Sequence, residues 1–368
     1  MKDLIHNIYK KDNAIGGTVI IANKNEILKH ITYGYQSVEN NIETHENTIY
    51  RIASISKVVV ATAVMTLYDE GLVDIDEDIS KYLGFKLRNP NFLEDPITIK
   101  MLMTQTSSLC DGSDEKLGYD GVNGPRFFVD LEKLLTDPTY EYYTDKTFLK
   151  YKPGTKFCYS NFGCGILACI VEKVTNKYFT DYVREKVLLP LGLDASFRID
   201  DIKNFENVAT LYISKNKEMV PTRTKEKFLS TLFPRYELGN NFRGPAGGLF
   251  ISPKDLTIFM QMLMNEGTYQ NIQILKPSTV QLMKEIHFVL DEKDGMYEKK
   301  GLQLLILDKE NRRLYGHTGS AYGLRSFMLF DDSYGYIFMC NGSISNEDDD
   351  SDVASLRDKC LDAVLQYK

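Results

Sequence analysis

The chain has 368 residues, 43% hydrophobic and 26% charged, with a net charge of −7. This composition excludes wholesale disorder, and the acidic balance offers no basic footprint for a nucleic-acid backbone. The length exceeds what one compact core usually fills, so two subdomains or one large two-layer fold are expected.

At the N-terminus Asp3 and Asn7 interrupt any apolar run. No secretory signal is read there, and a cytoplasmic location is expected. Gly17 to Ala22 is a β-branched run, Asn23 to Asn25 a turn, and Glu26 to Tyr33 the second arm of a hairpin. From Ser56, apolar residues recur at helical spacing (Val59, Ala63, Val64, Leu67) until Gly71. Thr98 to Met103 reads as a short capped helix, and Gly163 to Val174 and Tyr178 to Leu189 as two more, the last stopped by Pro190. Ser252 is placed to cap a helix that has Pro253 at its first position and runs to Met264. Strands return at Leu302–Leu307, Leu314–His317, Leu324–Phe330 and Tyr336–Asn341. The acidic run Glu347–Asp352 reads as a solvated loop before a closing helix whose Leu356, Cys360, Leu361 and Val364 share one face.

Strands at both ends enclosing helices predict an α/β protein of the α+β type. One antiparallel sheet, built from N- and C-terminal strands and flanked by helices, would carry a mostly helical insertion, with the active site between them. Residues 1–65 and 170–368 would form the sheet subdomain, and 66–169 the helical one. No apolar stretch is long enough to span a bilayer, so no membrane segment is expected. The six cysteines form no C-x-x-C pair and are expected as free thiols. The five histidines show no metal-ligand spacing, and no metal is expected. Gly163-Cys164-Gly165-Ile166-Leu167-Ala168 fits G-x-G-x-x-A on paper, but no strand precedes it, so neither a dinucleotide nor any other cofactor is expected.

The segment Ser54-Ile55-Ser56-Lys57 carries chemistry. A serine alcohol is a poor nucleophile until a base takes its proton. On the first turn of a helix, positions i and i+3 share a face, so Lys57 would lie beside Ser54. The helix N-terminus would stabilise a developing oxyanion and lower the lysine pKa. Two other S-x-x-K matches, Ser113–Lys116 and Ser214–Lys217, lie in polar, loop-like stretches.

Two further motifs follow in order: Tyr159-Ser160-Asn161 before a helix, and His317-Thr318-Gly319 on a late strand. With them the sequence resembles the penicillin-recognising serine hydrolases: class C β-lactamases, D,D-peptidases, D-aminopeptidases and related carboxylesterases. The family order is S-x-x-K, Y-x-N and K/H-x-G, and the resemblance runs over roughly residues 16 to 345. It implies that Ser54 is acylated, with Lys57 its partner and Tyr159 sharing proton transfer; whether Lys57 or Tyr159 is the acylation base stays open. Asn161 would bind the acyl-side amide, and His317 and Thr318 would bind substrate. The backbone N–H groups of Ser54 and Ser320 would form the oxyanion hole. Gly319 would let an extended substrate lie against the strand edge. A further Y-x-N, Tyr269–Asn271, reads as a turn.

Histidine stands where typical class C β-lactamases have lysine, and no dedicated deacylating glutamate is evident. The expected activity is therefore hydrolysis, through a Ser54 acyl-enzyme, of a small-molecule or peptide amide or ester with D-amino-acid character. Turnover of β-lactams is expected to be weak or absent, with penicillins acting as slow covalent inhibitors. The alternatives are a carboxylesterase on the same site and a penicillin-binding sensor that is acylated without turnover. His317, as a cation, would hold a substrate carboxylate. The segments Asp111–Pro138 and Leu211–Asn241 are expected to line the pocket.

Overall fold

A computed structural model describes residues 1–112, 116–124, 128–294, 296–344 and 350–367. The main sheet uses β1 (Gly16–Asn23), β2 (Ile27–Ser37) and β3 (Ile42–Glu43) from the start of the chain. Six more strands come from its end: β4 (Phe288–Asp294), β5 (Tyr297–Lys300), β6 (Leu305–Lys309), β7 (Arg312–Ala321), β8 (Leu324–Phe330) and β9 (Tyr334–Cys340). The spatial order is β4-β5-β6-β7-β8-β9-β1-β2-β3, and each neighbouring pair is antiparallel. The expected sheet from both termini is thus closed by β1 against β9, with Val19 opposite Phe338.

Alternation along the strands assigns the two faces. Val19, Ile21, Phe327 and Phe338 point to one side, where α1 (Lys2–Lys11) and the closing helix Asp350–Leu365 supply Ile5, Tyr9, Leu356, Cys360 and Val364. Ile20, Ala22, Met328 and Ile337 point to the other, under a larger helical layer. That layer contains α2 (Ser56–Asp69), α3 (Ile99–Thr104), α4 (Asn161–Thr175) and α5 (Pro253–Met264). Ser252 accepts from the Asp255 N–H at 3.0 Å and Pro253 opens α5, as the capping pattern predicts. α2 is apolar all round because it is buried all round, from Ser56 to Leu67.

Several expectations are corrected. The boundaries drawn at 65/66 and 169/170 fall inside α2 and α4, two unbroken helices that pack on each other. The hairpin β4–β5 was not read, because Asp291-Glu292-Lys293-Asp294 on the sheet edge is exposed and charged, as edge strands tend to be. Leu211–Lys215 and Glu218–Arg223 form a second unread hairpin. Ser214 lies in its first strand and Lys217 in the two-residue turn after it, with a φ of +66°, so this S-x-x-K match has no helical turn to bring the pair together. Tyr269-Gln270-Asn271 forms a tight turn between two-residue strands. In the G-x-G-x-x-A match, a Cβ on Gly165 would lie 2.1 Å from the Phe242 carbonyl oxygen, so that glycine admits a neighbouring backbone rather than a phosphate. Ser113 and residues 347–349 of the acidic run lie outside the described residues.

Candidate active site

Ser54 lies in a 3₁₀ turn, Ala53–Ile55, that runs directly into α2. It therefore precedes the helix rather than opening it, and the three-residue offset still brings Lys57 alongside. Ala53 holds a φ of +52°, a left-handed conformation that costs a non-glycine residue about 1–2 kcal/mol. The turn is pinned from outside: the Ile52 N–H donates to the Leu249 carbonyl at 2.9 Å, and the Leu249 N–H to Ser56 Oγ at 3.1 Å.

Lys57 Nζ donates to Ser54 Oγ at 3.0 Å, to Asn161 Oδ1 at 2.8 Å and to the Ala246 carbonyl at 2.8 Å. Two of these partners can only accept. A neutral Lys57 must then aim its lone pair at the third, the serine hydroxyl, which can donate back. Lys57 is fully buried, and burial draws its pKa down to about 8; Cys164 and Asp111 oppose the shift and Arg51 adds to it.

Asn161 is the first residue of α4, whose N-cap is Ser160. Asp111 accepts from Asn161 Nδ2 at 2.7 Å, from the Phe162 N–H at 2.8 Å and from Ser160 Oγ at 3.0 Å. The carboxylate thus sits at a helix N-terminus, where it is favoured, and fixes which end of the Asn161 amide faces Lys57. Gln105 Oε1 accepts from the Ser160 N–H at 2.7 Å, and the Gln105 carbonyl from the Cys158 N–H at 2.8 Å. Between these anchors Tyr159 presents its ring 4.8 Å from Lys57 Nζ and its hydroxyl to Ser54 and Tyr297. Burial raises the phenol pKa, so Tyr159 stays protonated at neutral pH and can donate a proton.

The late strand β7 brings Ser320 to the same place, but not His317. The imidazole is fully buried against the rings of Tyr159 and Tyr297. Its Nδ1 lies 2.6 Å from the Thr318 carbonyl and must donate to it, leaving Nε2 as acceptor 3.4 Å from the Tyr297 hydroxyl. Burial, with Lys300 and Lys57 nearby, holds its pKa well below the usual histidine range. The expected cation for a substrate carboxylate is disfavoured at that position, and His317 does not line the cavity. Thr318 turns to Tyr297 instead of the cavity. A Cβ on Gly319 would lie 2.3 Å from Ser326 Oγ and 2.5 Å from the Ile52 carbonyl oxygen. Glycine is required so that β7 can close on the Ser54 turn, and no room for substrate is left at that point.

A cavity of about 390 Å³ brings together Ser54, Tyr159, Asn161 and Ser320. Lys57 reaches Ser54 from behind its wall. The two segments expected to line the pocket do so, the first through Tyr119 and Asn123 and the second through Arg223, Phe228 and Phe233. Asp111, Gln105, Tyr297 and Arg51 went unread as site residues. Only Asp111 had a sequence signal, as the first residue of a segment assigned to the pocket.

This large antiparallel sheet with its helical layer is the fold of the β-lactamase-like serine hydrolases. The chain belongs to the β-lactamase family, whose family model matches residues 1–360. Protein flp of Staphylococcus aureus (strain MRSA252) is 24% identical over 342 residues, covering 92% of this chain and 62% of the relative. The chain thus spans a little under two thirds of that relative's length. Among solved structures, an octameric penicillin-binding protein homologue from Pyrococcus abyssi has a TM-score of 0.74 at 24% identity, covering 93% of this chain and 72% of that one. The D-amino acid amidase of Ochrobactrum anthropi SV3, complexed with D-phenylalanine, has a TM-score of 0.72 at 19% identity, covering 100% of this chain and 99% of that one.

Proposed function

We propose that the protein hydrolyses a small amide, peptide or ester of D-amino-acid character through an acyl-enzyme on Ser54. The observation that carries this reading is Lys57 Nζ, 3.0 Å from Ser54 Oγ, with its other two hydrogen bonds committed to acceptors. Neutral Lys57 takes the serine proton as Oγ attacks the substrate carbonyl. The backbone N–H groups of Ser54 and Ser320 receive the oxyanion, a contribution of about 3–4 kcal/mol per donor. Tyr159, kept protonated by burial, passes its proton to the leaving nitrogen or oxygen and recovers one through Lys57. Asn161 orients the acyl-side amide. Water then repeats the sequence on the acyl-enzyme. Likeness of fold to a D-amino acid amidase supports the D-configured substrate.

The test uses a fluorophosphonate probe and 4-nitrophenyl esters. The native protein should label, release a burst of nitrophenolate and turn over steadily. Ser54→Ala should abolish labelling, and Lys57→Ala should cut turnover at least ~10²-fold, as loss of a general base does. Labelling that survives in Ser54→Ala overturns the mechanism, and a burst without turnover makes the protein an acylated sensor. Faster hydrolysis of simple acetate esters than of D-alanine 4-nitroanilide would favour the carboxylesterase reading.

A further inference from the structure

With His317 neutral and buried, the positive charge of the cavity lies elsewhere. Arg51, three residues before Ser54, and Arg223, at the end of the hairpin strand Glu218–Arg223, both line it. Their guanidinium carbons lie 5.2 and 4.0 Å from the centroid of one ring, that of Tyr322. Among the described residues neither is ion-paired with a carboxylate, and none of those that line the cavity is an aspartate or glutamate. In a chain of net charge −7, two half-buried guanidiniums with no carboxylate beside them among the described residues give this one cavity a local positive charge. Burial lowers the pKa of Arg51, and the neighbouring Arg223 lowers it further.

The ring that both guanidiniums approach is carried on a constrained turn. Tyr322 and Gly323 form the two-residue turn joining β7 to β8, with φ values of +55° and +94°. Such turns favour Asn, Asp or Gly at the first position, so a bulky tyrosine there is strained. Thr222 Oγ1 donates to the Tyr322 carbonyl at 3.0 Å, tying the Arg223 strand to the turn. A Cβ on Gly323 would lie 1.7 Å from the Tyr212 carbonyl oxygen, so only glycine lets the turn dock on that hairpin.

We propose that Arg51, Tyr322 and Arg223 form an anion subsite of the cavity, and that the substrate carries a carboxylate beyond its scissile carbonyl. The fork of each guanidinium matches a carboxylate, and the tyrosine face holds both forks in place. The assignment rests on the hydrolase reading for its catalytic use, but not for the binding itself.

The experiment compares mono-4-nitrophenyl adipate with 4-nitrophenyl hexanoate, matched in chain length and differing in the terminal carboxylate. At low ionic strength the adipate should be preferred roughly tenfold in kcat/KM, chiefly through KM, as a charge-assisted pair implies. Arg223→Gln should cut the preference at least fivefold, Arg223→Lys should keep most of it, and 0.5 M salt should erode it in the native protein. An unchanged preference in Arg223→Gln, or none in the native protein, overturns the subsite. Should neither ester be turned over, the hydrolase reading fails while the subsite is still read by calorimetric titration with monomethyl adipate. Binding lost in Arg223→Gln supports it, and no binding to the native protein refutes it.

Discussion

Lys57 and Asp111 set the protonation of the site between them. Protonated Lys57 cannot accept the serine proton, so kcat/KM on a neutral ester should rise with pH through about 8, where burial has placed this amine. No inflection should come from His317, whose buried ring stays neutral, so KM for a carboxylate-bearing substrate should stay level between pH 5 and 7. Asp111 raises the Lys57 pKa through its charge. Asp111→Ala should therefore move the rise in kcat/KM to lower pH. It should also slow turnover, because Asn161 loses its tether, and cost about 1–2 kcal/mol in chemical denaturation through the lost helix cap. A purely structural role would lower stability and leave the pH profile where it was.

Among the elements, β5 shows why parts of the site were legible and parts were not. Ser54 and Lys57 could be read because one local turn sets their spacing; Tyr159 and Asn161 could be read because a cap and a helix start flank them. Tyr297 and Lys300 lie on an edge hairpin with no apolar alternation, and Arg51 and Arg223, 172 residues apart, meet only because a later hairpin folds over the cavity. Side chains that converge through tertiary packing leave no periodic trace. Lys300, at the end of β5, is fully buried, has no hydrogen-bond partner for its Nζ among the described residues, and is pushed down to about 7 by burial with Lys57 nearby. Since folding lowers this pKa, the unfolded chain holds more protons between about pH 7 and the ordinary lysine value, and stability falls as pH drops across that window. Lys300→Met should add about 1–4 kcal/mol, as replacing buried charge by apolar volume does, and the gain should be larger at pH 7 than at pH 10. An equal gain at both would mean that folded Lys300 keeps its proton at both, and that burial does not lower its pKa.

At the scale of the whole molecule, the six cysteines are unpaired, with Cys110 and Cys158 half-buried and the other four in the cores. A thiol reagent should find six free groups in denaturant without reductant, and in the native protein should reach Cys110 and Cys158 first; four or fewer would reveal a disulfide. The sheet order also has a consequence in time. Ser54 sits in the first sixth of the chain, and Ser320 on a strand near its end, with β1 completed only by β9. A ribosome adding about 5–20 residues per second needs roughly 13–50 s to travel from one serine to the other. Throughout that interval the nascent chain carries its serine–lysine turn without the strand that closes over it, so the proposed chemistry has no second oxyanion donor until β7 has emerged.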